Sequence, residues 1–170
     1  MKIVLAGFMG TGKTSVGKEL SDKLGYPFID TDVLIEEREG MPISLIFKNK
    51  GEDHFRKIES EIVAEISKKK DLVIATGGGV IKNKQNVENL RRRGVILCLT
   101  AGPEIILKRV MLEGGKRPLL DVEEPLNEIK KLLAEREEFY RQADAFIKTD
   151  FITPDETAEK IISILGLDTE

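Results

Sequence analysis

Eight consecutive residues near the start of the chain, Gly7-Phe8-Met9-Gly10-Thr11-Gly12-Lys13-Thr14, satisfy the pattern G-x-x-x-x-G-K-[ST]. Each position has a chemical job. The glycines let backbone N–H groups turn inward around phosphate oxygens with no Cβ in the way. A helix starting near Thr14 aims its positive end at the same anion. Lys13 reaches the β and γ oxygens, and the Thr14 hydroxyl ligates Mg²⁺. Gly10, Thr11, Gly12, Lys13, Thr14 and Ser15 are thus the candidate phosphate-binding set. A chance glycine turn would not need the full match with a strand before it and a helix after it.

The loop alone does not separate GTPase, ATPase and kinase. A guanine reader would need Asn-Lys-x-Asp, and the nearest string, Asn83-Lys84-Gln85-Asn86, lacks the aspartate. The apolar run 72–75 ends in Thr76 and glycines rather than in an acidic pair. Asp30 is then the obvious metal-side carboxylate.

Other polar groups gather where apolar runs end. Asp30-Thr31-Asp32 closes the second run. A helix N-cap at Asp32 would explain one aspartate, but two suggest a site. Gly77-Gly78-Gly79 closes the third run and exceeds the one or two glycines of a tight turn. Arg56 and Arg136 carry the planar fork that suits a carboxylate. Glu59, Glu135 and Glu137 stand close enough in sequence to make both arginines ordinary helix-surface ion pairs. The residues alone leave that choice open. Segment 111–124 has a Gly114-Gly115 hinge and the cations Lys116-Arg117, the make-up of a lid, with a solvated basic loop as the alternative.

Elements able to hold these groups follow in order. The apolar runs at 2–6 and 72–75 read as buried strands, and 26–29, 95–99 and 145–148 as the other three of five strands. Helical spacing appears at 14–23, 33–39, 43–48, within 51–70, and at 84–93, 103–112, 125–142 and 153–165. Such alternation predicts a three-layer α/β/α fold: a five-stranded parallel sheet covered on both faces, with a mobile lid. Ligands of such sheets sit beyond the carboxyl ends of the strands, where the polar groups collect. Residues 1–170 read as a single domain, with a lid at about 111–124 and a substrate-binding helical segment at about 32–62.

Composition closes off other classes. With 41% apolar and 34% charged residues, the chain is soluble and able to form a core. A net charge of -3 disfavours nucleic-acid binding, and Lys68–Lys70 and Arg91–Arg93 read as solvated surface at helix ends. No run reaches the ~20 apolar residues of a membrane helix, and no signal peptide is evident, so a cytoplasmic location is expected. Cys98, the one cysteine, reads as a core thiol. His54, the one histidine, reads as helix surface.

Taken in order, the glycine loop, Asp30-Thr31-Asp32, Phe55-Arg56, Gly77-Gly78-Gly79, Arg117-Pro118-Leu119-Leu120 and Arg136 make the chain resemble the shikimate kinase family. The resemblance runs from Lys2 to about Thr149. It implies a P-loop kinase of nucleoside-monophosphate-kinase type, which moves the γ-phosphoryl of ATP to the 3-hydroxyl of shikimate on the route to chorismate. ATP and shikimate would be the partners and Mg²⁺ the cofactor, with no nucleic acid, no membrane and a monomeric chain. The resemblance assigns the reacting hydroxyl to Asp32 and metal support to Asp30. Arg56 and Arg136 take the shikimate carboxylate, and Gly77, Gly78 and Gly79 the ring. Arg117 becomes the lid arginine on the transferring phosphoryl, and Arg109 the arginine stacking on adenine. The loop 149–154 departs from the family's polar pattern and is expected to pack apolar groups on the purine. A gluconate or other small-metabolite kinase of the same fold is the rival, disfavoured by the paired arginines.

Overall fold

The computed structural model describes residues 1–113 and 120–167. Strand β1 (Lys2–Gly7) leads through the glycine loop into α1 (Lys13–Leu24). Then come β2 (Phe28–Asp30), α2 (Thr31–Glu39), α3 (Ile43–Ile66) and β3 (Leu72–Ala75). A short 3-10 turn (Val80–Lys82) precedes α4 (Lys84–Arg91) and β4 (Gly94–Thr100). The described chain closes with α5 (Pro103–Glu113), α6 (Pro125–Tyr140), β5 (Ala145–Lys148) and α7 (Pro154–Leu165).

All strand pairs are parallel, in the order β2-β3-β1-β4-β5. The central β1 is wholly buried, and its alternate side chains divide between two cores. Ile3 and Leu5 meet Val16 and Leu20 of α1 and Ile161 of α7 on one face. Val4 and Ala6 face Ile35, Ile62, Ile106 and Ile129 from α2, α3, α5 and α6 on the other. Fully burying each such aliphatic side chain contributes roughly 1.5–3 kcal/mol. That two-sided burial is why the strands read as unbroken apolar runs rather than alternating ones. Cys98 lies in β4, 1% exposed, and burial pushes its thiol up to about 11.

The expected three-layer α/β/α fold is present, with four local corrections. β2 begins at Phe28 because Pro27 has no N–H; it contributes only its carbonyl, to Val73. α2 begins at Thr31, one turn's edge earlier than expected, because the cap is Asp30 and not Asp32: Asp30 Oδ1 accepts from the Asp32 N–H at 3.0 Å. The two helices expected across 43–70 are one run kinked at Gly51 (φ 83°), and that run ends at Ile66. α4 stops at Arg91, since Arg93 turns left-handed (φ 61°) and its carbonyl takes the Lys2 N–H. Lys68–Lys70 and Arg91–Arg93 are exposed, as expected of solvated runs.

Candidate active site

The glycine loop leaves β1 with φ 74° at Gly10 and 94° at Gly12, a left-handed conformation that L side chains rarely adopt. Gly12 is also the N-cap of α1, with no side-chain cap and no acid in the first turn. Contrast α7, whose N-terminus is closed by the Thr153/Glu156 capping box. A helix start with no side-chain cap and no acid in its own first turn suits an anion. Lys13 Nζ donates to the Gly7 and Phe8 carbonyls at 2.8 and 2.9 Å, which holds its ammonium above the loop. The Thr14 hydroxyl donates to Asp30 Oδ2 at 2.8 Å. Asp30 thus joins the loop to the start of α2.

Beyond the loop lies a cleft of about 230 Å³. Lys13, Thr14, Ser15, Asp30, Asp32, Phe47, Phe55, Arg56, Glu59, Gly77–Gly79 and Arg136 all line it. Three residues distant in sequence meet over the glycine triplet. A Cβ on Gly77 would sit 2.7 Å from Asp32 Oδ1, one on Gly78 2.9 Å from Arg136 Nη1, and one on Gly79 2.6 Å from Arg56 Nη1. None of the three has a left-handed φ. Glycine here makes room for close side-chain approach and answers no demand of backbone conformation. Gly77 is further fixed by its N–H donating to the buried Thr31 hydroxyl at 2.9 Å.

Arg56 makes the ion pair open to it on its own helix and also lines the cleft. It donates to Glu59 at 2.9 Å, and more loosely to Glu52, while its guanidinium faces the cleft. Glu59 is no surface partner, however, being 1% exposed, and burial raises its carboxyl above the ordinary value of 4.5. Arg136 departs from the ion-pair alternative. Its guanidinium lies over the Phe8 ring at 5.1 Å, while neighbouring Glu137 pairs with Arg141 at 2.9 Å.

A second pocket of about 250 Å³ opens on the other side of the loop. Arg109, Thr149, Ile152 and Pro154 line it together with Gly10, Thr11 and Gly12. Arg109 Nη1 donates to the Gly10 carbonyl (3.2 Å) and the Thr149 hydroxyl (2.9 Å), tying α5 to the loop and to the exit of β5. Ile152 supplies an apolar wall, whereas Phe151 points away and is 87% exposed. Arg117 and the rest of 114–119 in the expected lid fall outside the described residues; residues 111–113 are the last turn of α5, and 120–124 lead into α6.

Sequence reasoning missed Glu59 as a buried anchor, Phe47 and Phe55 as a tilted ring pair 4.7 Å apart in the cleft wall, and Tyr140, whose hydroxyl donates to the Gly78 carbonyl at 3.1 Å. His54 is half-buried against Glu39 (3.0 Å) rather than simply surface.

A family model described as shikimate kinase matches residues 9–166. The shikimate kinase of Thermodesulfovibrio yellowstonii is 51% identical over 160 residues, covering 94% of this chain and 92% of its own. The chain belongs to the shikimate kinase family. Membership makes it an ATP-dependent kinase. A solved shikimate kinase from Acinetobacter baumannii, in complex with shikimate, matches with a TM-score of 0.90 at 39% identity, over 96% of this chain and 92% of its own. A gluconokinase from Sinorhizobium meliloti, at 19% identity and a TM-score of 0.63, shares the fold alone. In the shikimate kinase frame, the paired arginines and the glycine triplet become the features to explain. No helix among the described residues is long and apolar enough to cross a membrane.

Proposed function

We propose that the chain transfers the γ-phosphoryl group of ATP to the 3-hydroxyl of shikimate, giving shikimate 3-phosphate and ADP. One observation carries this reading. Asp32, Arg136 and Arg56 each press on a different glycine of Gly77–Gly79, so the Asp32 carboxylate and two guanidinium groups meet over the triplet, in a cleft beside the phosphate loop that Asp30 and Glu59 also line. Two cations opposite one carboxylate suit a substrate with a carboxylate at one end and a reacting hydroxyl at the other.

In this reading Arg56 and Arg136 clamp the carboxylate, and Gly77, Gly78 and Gly79 allow the ring close. Asp32 accepts the hydrogen bond of the 3-hydroxyl and takes its proton as the new P–O bond forms. The bond from the γ-phosphorus to the β,γ-bridging oxygen breaks, and ADP leaves with that electron pair. Lys13 follows the charge onto the leaving oxygens, and the amides of Gly10–Ser15 hold the phosphates in line. Arg109 flanks the adenine pocket. Arg117 would close over the transferring phosphoryl group and keep out water, a competing acceptor.

Thr14 and Asp30 place two hard oxygen donors 2.8 Å apart at the phosphate end, which fits Mg²⁺ held partly through water. Among the described residues no cluster of three or more His, Cys, Asp or Glu side chains could hold a metal, so the protein would supply few of its ligands and phosphate oxygens and water would supply the rest. When bound, Mg²⁺ would neutralise charge on the β and γ oxygens. The protein is proposed to act as a cytoplasmic monomer.

The test is a coupled ADP-release assay with shikimate, gluconate and nucleoside monophosphates as acceptors. Turnover with shikimate alone is expected. Absence of shikimate-dependent ADP release overturns the reading.

A further inference from the structure

Tyr140 ends α6, one helical turn beyond Arg136, and is 7% exposed. Its ring packs in the larger core, but its hydroxyl leaves that core and donates to the Gly78 carbonyl at 3.1 Å, across 62 residues of chain. Gly78 is the same residue that Arg136 crowds: its Cβ position lies 2.9 Å from Arg136 Nη1 and 3.8 Å from the Tyr140 hydroxyl. One phenol therefore touches the peptide against which the guanidinium rests. The opposite boundary of Arg136 is the Phe8 ring at 5.1 Å. Burial pushes the phenol's pKa up against the opposing pull of Arg136, so it remains a neutral donor at working pH.

A core tyrosine that merely satisfies its hydroxyl could have used any carbonyl. This one uses the carbonyl of the middle glycine of the triplet. We infer that Tyr140 is a positioning residue for the acceptor: its hydroxyl fixes the Gly78 peptide and so sets the place of the Arg136 guanidinium. The inference rests on the reading of Arg136 as a carboxylate clamp. Without the hydroxyl, the Gly78 peptide could rotate into the space that Arg136 occupies, and the clamp would loosen at one end.

Tyr140→Phe removes the hydroxyl and leaves the ring in place. Shikimate KM should rise about five- to tenfold, with ATP KM unchanged, as expected for loss of one hydrogen bond that acts through a charged group. Tm should fall by no more than about 4 °C. A purely structural role would instead lower Tm and disturb both substrates together, and that outcome overturns the proposal. Arg136→Lys and the double variant complete a cycle, with shikimate affinity also read by calorimetry. The double variant should be no worse than Arg136→Lys, because the hydroxyl has no guanidinium left to place. Multiplying effects overturn the role through Arg136. If Arg136→Lys leaves shikimate KM unchanged, the clamp itself has failed and the proposal falls with it. If Arg136→Lys raises KM while Tyr140→Phe does nothing, only Tyr140 is removed.

Discussion

Gly79 lies directly against Arg56, with its Cβ position 2.6 Å from Arg56 Nη1. Gly79 has φ −101°, so alanine fits its backbone, and the clash is with the far end of a flexible side chain. The fold should therefore tolerate Gly79→Ala while Arg56 is driven off its place. Shikimate KM should rise by about tenfold or more with Tm nearly unchanged, since a displaced charged hydrogen bond costs roughly 1.5–3 kcal/mol. Unchanged KM in steady-state assays would show that the contact has no bearing on the acceptor.

Arg136→Ala removes one end of the proposed clamp. Shikimate KM should increase at least about tenfold, the scale of one charge-assisted hydrogen bond, with ATP KM little affected. A KM equal to that of the parent chain removes Arg136 from the site.

Asp32→Asn keeps the shape of the side chain and discards its negative charge. The Asp32 backbone N–H still reaches Asp30, so α2 keeps its cap. kcat should collapse while titration calorimetry still detects ATP binding. Near-normal turnover refutes its role at the hydroxyl.

Asp30→Asn separates the two duties of that carboxylate. Asn caps helices as well as Asp, so Tm should hold. The Mg²⁺ concentration for half-maximal activity should rise several-fold, because the Thr14–Asp30 pair loses its charge. An unaltered Mg²⁺ titration argues against metal support by Asp30.

Glu59 supplies a pH signature. Burial raises its carboxyl above 4.5, so the folded chain binds that proton more tightly than the unfolded chain does. Its contribution to stability is thus present below the ordinary glutamate range and is lost as pH rises through its raised folded value. Protonation also discharges the partner of Arg56. Shikimate KM should worsen on acidification from a pH above the ordinary glutamate range, and in Glu59→Gln that limb should vanish. A limb that persists in Glu59→Gln belongs to another group.

The phosphate loop and the sheet were legible in the sequence because both are local patterns. Glycine spacing declares the loop, and two-sided burial makes β1, β3 and the middle of β4 continuous apolar runs. The misreadings share a cause. The start of α2 depends on which of two aspartates folds back, and both have the right chemistry. The end of α4 depends on Arg93 taking a conformation that arginine rarely adopts. The three roles of the triplet could not be seen at all, since Gly77 meets Asp32, Gly78 meets Arg136 and Gly79 meets Arg56 only once separate elements pack. Sequence could show that three glycines were too many for a turn, but not what each made room for. Glu59 looked like a surface acid because i,i+3 spacing places it beside Arg56 without revealing that this part of α3 faces the interior.

Cys98 makes the chain its own reporter. The sole thiol sits in the middle of the sheet, 1% exposed and with its pKa pushed up to about 11, so alkylating reagents cannot reach it while β4 stays paired with β1. Labelling rate then clocks the opening of the central ladder, with no engineered probe. Any ligand that binds only the closed form should slow the clock by the factor 1 + [L]/Kd, which converts alkylation under saturating nucleotide or acceptor into an affinity measured without turnover.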